Sequence, residues 1–278
     1  MYPAAEHVQI NDISMAYNRH GDGDRPLVLV HGITGARHDW RKVVGPLSEA
    51  RSVITIDQRG HGETSHPADP STYHFDQLVD DLAGFIEEVV GGSFDLLGHS
   101  MGGMVAMRYA MKKPDRLRSL VLMNTAPVSP EKPFGLDPEH IEGLFAAVAE
   151  HGLAVAREMN AAVPNPEREL VDELHGPEFF AADEDWRYER IDPMAIARLG
   201  PVTFRHPSVL DRLADIDLPV TVVCGDLDTA FWGPSRQMVD VLPNAEFVGF
   251  EGAYHSPQHT HTEDWLAAVE EHLARSKT

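Results

Sequence analysis

Six short apolar runs recur along the chain without the alternation of a half-exposed strand. They are Leu27 to Val30, Val53 to Ile56, Phe94 to Leu97, Leu120 to Met123, Val220 to Cys224 and Phe247 to Phe250. Strands of this kind are covered on both faces, as in a parallel sheet. Ahead of them, Val8 to Ile10 and Ile13 to Tyr17 alternate around Asn11-Asp12. This pattern predicts an antiparallel hairpin at a sheet edge.

Helical patterns separate the apolar runs. The clearest stripe has intervals of three and four and consists of Phe75, Leu78, Val79, Leu82, Phe85, Ile86 and Val89. A last helix carries Leu266, Val269 and Leu273, with Glu263 and Asp264 in its first turn and Arg275 and Lys277 near its end. The helix dipole favours that distribution of charge. The alternation of strand and helix predicts an α/β fold with a doubly wound, mostly parallel sheet.

This alternation stops between Pro127 and Leu213, where helical patterns cover Asp137 to Glu150, Leu153 to Ala162 and Asp192 to Leu199, with no convincing strand. We therefore expect a core made of residues 1–126 and 214–278, with residues 127–213 inserted as a helical cap. Seven aromatic residues of this stretch could line a pocket or pack the cap, and packing is the interpretation we favour. They are Phe134, Phe145, Phe179, Phe180, Trp186, Tyr188 and Phe204.

The composition of the chain argues against some classes of binding partner and indicates a cellular compartment. The 278 residues carry a formal net charge of -21, which argues against nucleic acid and against an anionic membrane. Cys224 is the only cysteine and lies in an apolar run, so we expect a buried thiol and no internal disulfide. The first residues carry no basic region followed by an apolar stretch, and no apolar run approaches the length of a membrane span. These features predict a cytoplasmic protein.

One stretch combines a strand, a sharp turn and a helix around a serine. Phe94 to Leu97 is followed by Gly98-x-Ser100-x-Gly102 and then by an apolar helical pattern that Pro114 closes. Glycine is needed on both sides of such a turn because side chains there would collide with the crossing backbone. The helix after the turn directs backbone N–H groups at any anion formed beside Ser100. This arrangement suits an attacking serine.

The sequence Gly-His-Ser-Met-Gly-Gly at residues 98–103 resembles the nucleophile elbow of the α/β-hydrolase superfamily. A serine needs a base and a group that orients it. His255 follows an apolar run, and its loop resembles the Gly-x-x-His loop of the superfamily, with Tyr254 where glycine is commoner. Asp226 and Asp228 both follow the strand ending at Cys224. The family pattern Gly-x-x-Asp implies Asp228 as the acid, with Asp226 as a turn residue.

The segment His31-Gly32-Ile33-Thr34-Gly35 resembles the His-Gly oxyanion loop of the same superfamily. The resemblance implies that the backbone N–H groups of Ile33 and Met101 stabilise a tetrahedral intermediate. The segment from Asp57 to Thr64 resembles another family signature, with Thr64 in place of the usual serine, and we expect a structural loop. His31 and His99 are interpreted as structural or pocket-lining residues.

Three histidines within seven residues raise the alternative of a zinc site. They are His255, His259 and His261. No pair of Asp or Glu falls at ligand spacing on a helix nearby, and His255 is better explained as a base, so we expect no metal and no cofactor. Ser100, in place of an aspartate, argues against an epoxide hydrolase or a haloalkane dehalogenase.

The resemblance therefore implies a serine hydrolase acting on a small, fairly apolar carboxylic ester or lactone. A small-molecule substrate is the one partner that we expect, and the oligomeric state is left open. Two alternatives remain. Gly35-Ala36 in the oxyanion loop, a pair that similar enzymes carry, suggests cleavage of a carbon-carbon bond by the same triad. The superfamily also includes small-molecule receptors that retain a triad without turnover.

Overall fold

The computed structural model describes residues 3–129, 138–162 and 165–276. Eight strands in these residues form one sheet. They are β1 (Glu6–Ile10), β2 (Ile13–His20), β3 (Leu27–Val30), β4 (Val53–Ile56), β5 (Phe94–His99), β6 (Leu117–Met123), β7 (Val220–Gly225) and β8 (Ala245–Phe250). Their order in the sheet is β1-β2-β4-β3-β5-β6-β7-β8.

The pairing of the strands is mostly parallel. β1 and β2 are antiparallel, with Ile10 opposite Ile13, and β2 runs antiparallel to β4. All other neighbours in the sheet are parallel. The predicted α/β fold with a mostly parallel sheet and an edge hairpin is confirmed.

Eleven α-helices are described. They are α1 (Val44–Ser48), α2 (Phe75–Val89), α3 (Met101–Ala110), α4 (Pro138–His151), α5 (Leu153–Ala162), α6 (Pro166–His175), α7 (Glu178–Tyr188), α8 (Pro193–Phe204), α9 (Thr229–Val241), α10 (Pro257–Thr260) and α11 (Thr262–Arg275). Short 3₁₀ turns cover Arg37–Trp40, Pro70–Thr72 and Leu210–Asp215.

Both faces of the sheet are buried, and this explains the apolar runs. Val28 and Val30 of β3 pack in one cluster with residues of α2, α3 and α9. Leu27 and Leu29 of the same strand face a second cluster that includes Trp265 of α11. Because successive side chains of a strand point to opposite faces, both sets of positions in β3 are apolar. The carboxyl ends of these strands then meet at one edge of the sheet.

Helices α4 to α8 lie between β6 and β7, and the described residues of this region contain no strand. Phe145 of α4 and Phe204 of α8 stack with ring centroids 6.1 Å apart, in a cluster with Val148 and Ile196. The sequence predicted α4, α5 and α8 but missed α6 and α7. Phe134 and Asp137 lie outside the described residues, as does Lys277. The division of the chain at residues 126 and 213 stays a prediction.

Candidate active site

Ser100 occupies the sharp turn between β5 and α3. Its φ of 54° and ψ of -120° lie in a region that residues with a side chain rarely adopt. A Cβ on Gly98 would overlap the carbonyl oxygen of Gly102, and a Cβ on Gly102 would overlap that of Val30. Glycine at these two positions therefore lets the chain reverse direction at Ser100, as the sequence motif predicts.

The last residue of β6 and the residues after it hold the backbone of Ser100 in this conformation. The Ser100 N–H donates a hydrogen bond of 2.9 Å to the Met123 carbonyl oxygen. Thr125 Oγ1 donates one of 2.7 Å to the Ser100 carbonyl oxygen. The serine thus stands at the N-terminus of α3, where the first backbone N–H groups have no acceptor within the helix.

His255, in the loop after β8, meets a carboxylate from the loop after β7. His255 Nδ1 donates a hydrogen bond of 2.7 Å to Oδ2 of the buried Asp228. The other candidate acid, Asp226, lies elsewhere: its Oδ1 accepts a hydrogen bond of 2.8 Å from the Gly252 N–H. The structure therefore brings Asp228 and His255 together and leaves Asp226 in a turn.

A neighbouring histidine fixes the His255 loop beside the serine turn. His99 Nε2 donates a hydrogen bond of 2.9 Å to the His255 carbonyl oxygen, and the two ring centroids are 4.7 Å apart. His99 directly precedes Ser100 in the chain. Within the described residues, Ser100 Oγ donates no hydrogen bond to the His255 ring. The distance between a nucleophile and its base is often long before substrate binds. Because Nδ1 carries the proton that faces Asp228, Nε2 of a neutral His255 is the ring nitrogen that can accept a proton.

Asn124 is a site residue that the sequence analysis did not single out. Its Nδ2 donates to Asp228 Oδ2 at 2.7 Å and to the Tyr254 carbonyl oxygen at 3.1 Å. It thereby joins the loop that carries the acid to the loop that carries His255. Its position gave a signal, because Asn124 directly follows β6 at the same edge of the sheet where the other site residues lie.

Two opposing effects act on the protonation of His255. Burial lowers its pKa, but the charge and hydrogen bond of Asp228 and the charge of Glu167 outweigh burial and leave the pKa raised. Burial, together with the charge of His255, lowers the pKa of His99 well below its usual value. His99 is therefore neutral under conditions in which His255 can hold a proton.

The loop from His31 to Gly35 turns tightly beside Ser100. A Cβ on Gly32 would lie 3.6 Å from Ser100 Oγ. The Gly32 carbonyl oxygen accepts hydrogen bonds from His31 Nδ1 at 2.7 Å and from the Gly35 N–H at 3.1 Å. In a trans peptide the N–H of Ile33 points away from that oxygen. Within the described part of the chain, the N–H groups of Ile33 and Met101 have no acceptor.

Two buried histidines hold this loop from outside the site. His31 Nε2 accepts a hydrogen bond of 3.0 Å from the Gln58 N–H, so the ring proton is on Nδ1 and is donated to Gly32. His61 Nε2 lies 2.5 Å from the Ile33 carbonyl oxygen. Burial lowers the pKa of both rings, so both stay neutral. His31 is thus a structural residue of the loop.

The segment from Asp57 to Thr64 forms a buried hydrogen-bond network. Asp57 pairs with Arg37 and accepts the Glu63 N–H at 2.9 Å. Thr64 Oγ1 donates to the Asp57 carbonyl oxygen at 2.7 Å and accepts the Ala16 N–H at 2.8 Å. Threonine supplies the hydroxyl that serine usually provides here. The segment is a structural loop, as predicted.

A group of four charges joins α7 to the core beside this site. Asp183, fully buried on α7, pairs with Arg41 at 3.2 Å and with Arg187 at 3.3 Å. Arg187 also pairs with Asp39 at 3.3 Å.

Burial raises the pKa of Asp39 to about 6, against the opposing effect of Arg187. The His38 and Trp186 rings lie beside the group with their centroids 4.4 Å apart and their planes tilted by 51°.

Two aromatic residues of α7 pack on the loop that follows His255. The rings of Phe179 and Phe180 meet the His259 ring edge-on at 5.5 and 5.2 Å. The guanidinium of Arg41 lies 3.9 Å from the centre of the Phe179 ring. These aromatics pack helices onto each other and onto the core, as the favoured interpretation predicted.

The three histidines of the possible zinc site do not converge. His255 faces Asp228, whereas His259 packs against the α7 aromatics and His261 Nε2 lies 3.1 Å from the Glu251 carbonyl oxygen. In residues 3–129, 138–162 and 165–276, no group of three His, Cys, Asp or Glu side chains is placed to hold a metal ion.

None of the helices described in these residues combines the length and hydropathy needed to span a bilayer.

Comparison with known proteins identifies the family. A family profile described as the alpha/beta hydrolase fold matches residues 25–262. A putative 2-succinyl-6-hydroxy-2,4-cyclohexadiene-1-carboxylate synthase of Bacillus subtilis is 30% identical over 224 residues, which cover 79% of each chain. The chain is therefore a hydrolase of the α/β-hydrolase family.

Solved structures have the same fold over nearly the whole chain. A thermophilic esterase from Thermogutta terrifontis has a TM-score of 0.80 and 27% identity, covering 99% of this chain and 100% of its own. The enol-lactonase of Burkholderia xenovorans has a TM-score of 0.84 and 20% identity, covering 97% and 100%. At that identity the second likeness shows the fold alone.

Proposed function

We propose that the chain hydrolyses small, fairly apolar carboxylic esters or lactones with Ser100, His255 and Asp228 as a catalytic triad. The observation that carries this proposal is the 2.7 Å hydrogen bond from His255 Nδ1 to Asp228, next to a serine held at positive φ. The bond fixes the imidazole tautomer that leaves Nε2 free to take a proton.

In the first half of the reaction, Ser100 Oγ attacks the carbonyl carbon while His255 Nε2 takes its proton. The carbonyl oxygen becomes an anion and accepts hydrogen bonds from the N–H groups of Ile33 and Met101. His255 then gives the proton to the leaving alkoxide. The C–O bond to the alcohol breaks, and an acyl group remains on Ser100.

In the second half, water replaces the serine as nucleophile. His255 takes a proton from water, the resulting hydroxide attacks the acyl carbon, and the same proton returns to Ser100 Oγ as the acid product leaves. Asp228 stabilises the imidazolium formed in each step and is not itself protonated. No cofactor enters the sequence of steps.

The surroundings of His255 support a substrate with an apolar part. The Phe231 ring lies 5.0 Å from the His255 ring, and Ile33 packs against the apolar cores of both the sheet and the cap. The esterase that is 27% identical over 99% of the chain also supports an ester substrate. We further propose that residues 127–213 form the cap that selects the substrate.

A substrate panel tests this function. Purified protein should hydrolyse short-chain p-nitrophenyl esters or simple lactones with steady-state turnover. A dienol-ketone cleaved faster than every ester would favour the carbon-carbon hydrolase. Stoichiometric binding of such compounds without turnover would replace the hydrolase with a receptor.

A further inference from the structure

A carboxylate from α6 reaches the segment that carries the proposed catalytic base. Glu167 lies in the first turn of α6, whose N-terminus is capped by Asn165 through a 3.0 Å bond to the Arg168 N–H. Glu167 Oε1 accepts a hydrogen bond of 2.5 Å from the Ser256 N–H. Since Ser256 directly follows His255, this contact restrains the backbone of the base.

The other end of the same helix is also tied to this segment. His175, in the last turn of α6, donates from Nε2 to the His259 carbonyl oxygen at 2.7 Å. Eight residues of helix separate the two ties, about 12 Å at the usual rise. α6 therefore lies along the segment from Ser256 to His259 and is hydrogen-bonded to it at both ends.

Two titratable groups contact the His255 ring and the charge of a third acts on it, each from a different element. Asp228 comes from the loop after β7, His99 from the end of β5 and Glu167 from α6. Phe231 of α9 also packs on the ring but carries no charge. Because His99 is neutral, Asp228 and Glu167 are the two negative charges in this set. The imidazolium that forms during the reaction thus has two carboxylates near it.

The charge of Glu167 is coupled to that of His255. Burial raises the pKa of Glu167, while the positive charge of His255 and the hydrogen bond from Ser256 lower it in part. Each group therefore favours the ionised form of the other. A mere capping contact would need only an acceptor oxygen, which a glutamine also provides.

We propose that Glu167 is a positioning residue for His255, which holds the histidine loop through the Ser256 N–H and supplies a second negative charge to the imidazolium. The proposal rests on the proposed function, because it gives His255 the role of the base. It implies that displacement of α6 would remove one of the two charges from the site.

The decisive variant is Glu167→Gln, which keeps the acceptor oxygen and removes the charge. We expect the acid limb of kcat/KM against pH to move to lower pH, because neutral His255 then persists further into acid. At the plateau, kcat should fall by about tenfold or less, with little change in KM. Glu167→Asp restores the charge and should return the limb toward its original position. The matched control is Glu169→Gln, an exposed residue of the same first turn, which should leave the profile unchanged.

A second readout separates failure of this inference from failure of the proposed function. The protonation midpoint of His255, followed by NMR of the imidazole in protein without substrate, should move to lower pH in Glu167→Gln and not in Glu169→Gln. Equal midpoints in the two variants would overturn the role of Glu167, whatever the enzyme turns over. A shifted midpoint in a protein that hydrolyses no ester would leave the coupling intact and refute the proposed chemistry.

Discussion

Asp228 Oδ2 accepts hydrogen bonds from both His255 and Asn124, so one oxygen atom joins three loops of the site. Asn124 also bonds the Tyr254 carbonyl oxygen, and His99 bonds that of His255. Polar side chains at or just after the ends of β5, β6 and β7 therefore determine where the imidazole lies. The orientation of the imidazole depends on these neutral donors as well as on Asp228.

Asp228→Asn should keep the fold and reduce turnover by roughly 10⁴, because an amide in this position favours the wrong imidazole tautomer. Asp226→Asn should cost far less, since the Asp226 side chain bonds only the Gly252 N–H in the contacts described. Steady-state kinetics of the two variants checks the ranking. The reverse ranking would move the acid to Asp226.

The pH profile of the wild-type protein follows from the sign of the His255 shift. Only the neutral ring can accept the serine proton, and its pKa is raised above the usual value of 6.5. Activity should therefore be complete well above that raised pKa and fall as pH drops through it, governed by one proton. Measurement of kcat/KM across this range checks the limb, and a midpoint below 6.5 contradicts the proposed electrostatics.

The sequence analysis singled out some residues of the site but not others. Ser100, Asp228 and His255 follow strand ends and lie in short motifs, so local pattern was enough to single them out. Asn124 follows a strand end but lies in no motif. Glu167 comes from a helix that the apolar pattern did not predict, and only the packing of α6 brings its carboxylate next to Ser256. Contacts of that kind leave no local signal.

Among the secondary-structure elements, the central strands could be predicted from the sequence because they are buried on both faces. The predicted bounds of β3 and β4 match the structure, because every position of the two strands is buried. The acidic helices α6 and α7 were not predicted, because few of their apolar side chains are fully buried. Val171 is the one residue of α6 that is fully buried among those described, so the helix shows no clear apolar stripe.

The contact between α7 and the core depends on the buried charges, and a substitution within α7 tests this. Asp183→Asn should lower the free energy of unfolding by about 3 kcal/mol, because Arg41 and Arg187 lose the partner they share. The matched control is Asp185→Asn, which breaks an exposed pair with Arg157 and should cost much less than Asp183→Asn. Urea denaturation measures both, and equal losses would contradict the role given to Asp183.

In the whole molecule, the proposed triad and the two N–H donors lie outside the proposed cap, and Glu167 within the cap is proposed to act on them through His255. Ser100, Asp228, His255 and both N–H donors lie outside residues 127–213. Exchange of this region for that of a related hydrolase should therefore change the ranking of substrates more than it changes turnover of the best one. A substrate panel on the chimera measures the ranking, and an unchanged ranking would show that the cap is not the selector.

Formation of an acyl-enzyme on Ser100 can be tested directly by comparing the wild-type protein with a variant that lacks the serine hydroxyl. The wild-type protein and Ser100→Ala are compared for turnover of a short-chain p-nitrophenyl ester and for labelling by a fluorophosphonate, with the adduct located by peptide mass spectrometry. We expect an adduct on Ser100 alone and a loss of turnover near a millionfold in the variant. An adduct on another residue, or activity in Ser100→Ala above about 1% of wild type, would contradict the serine mechanism.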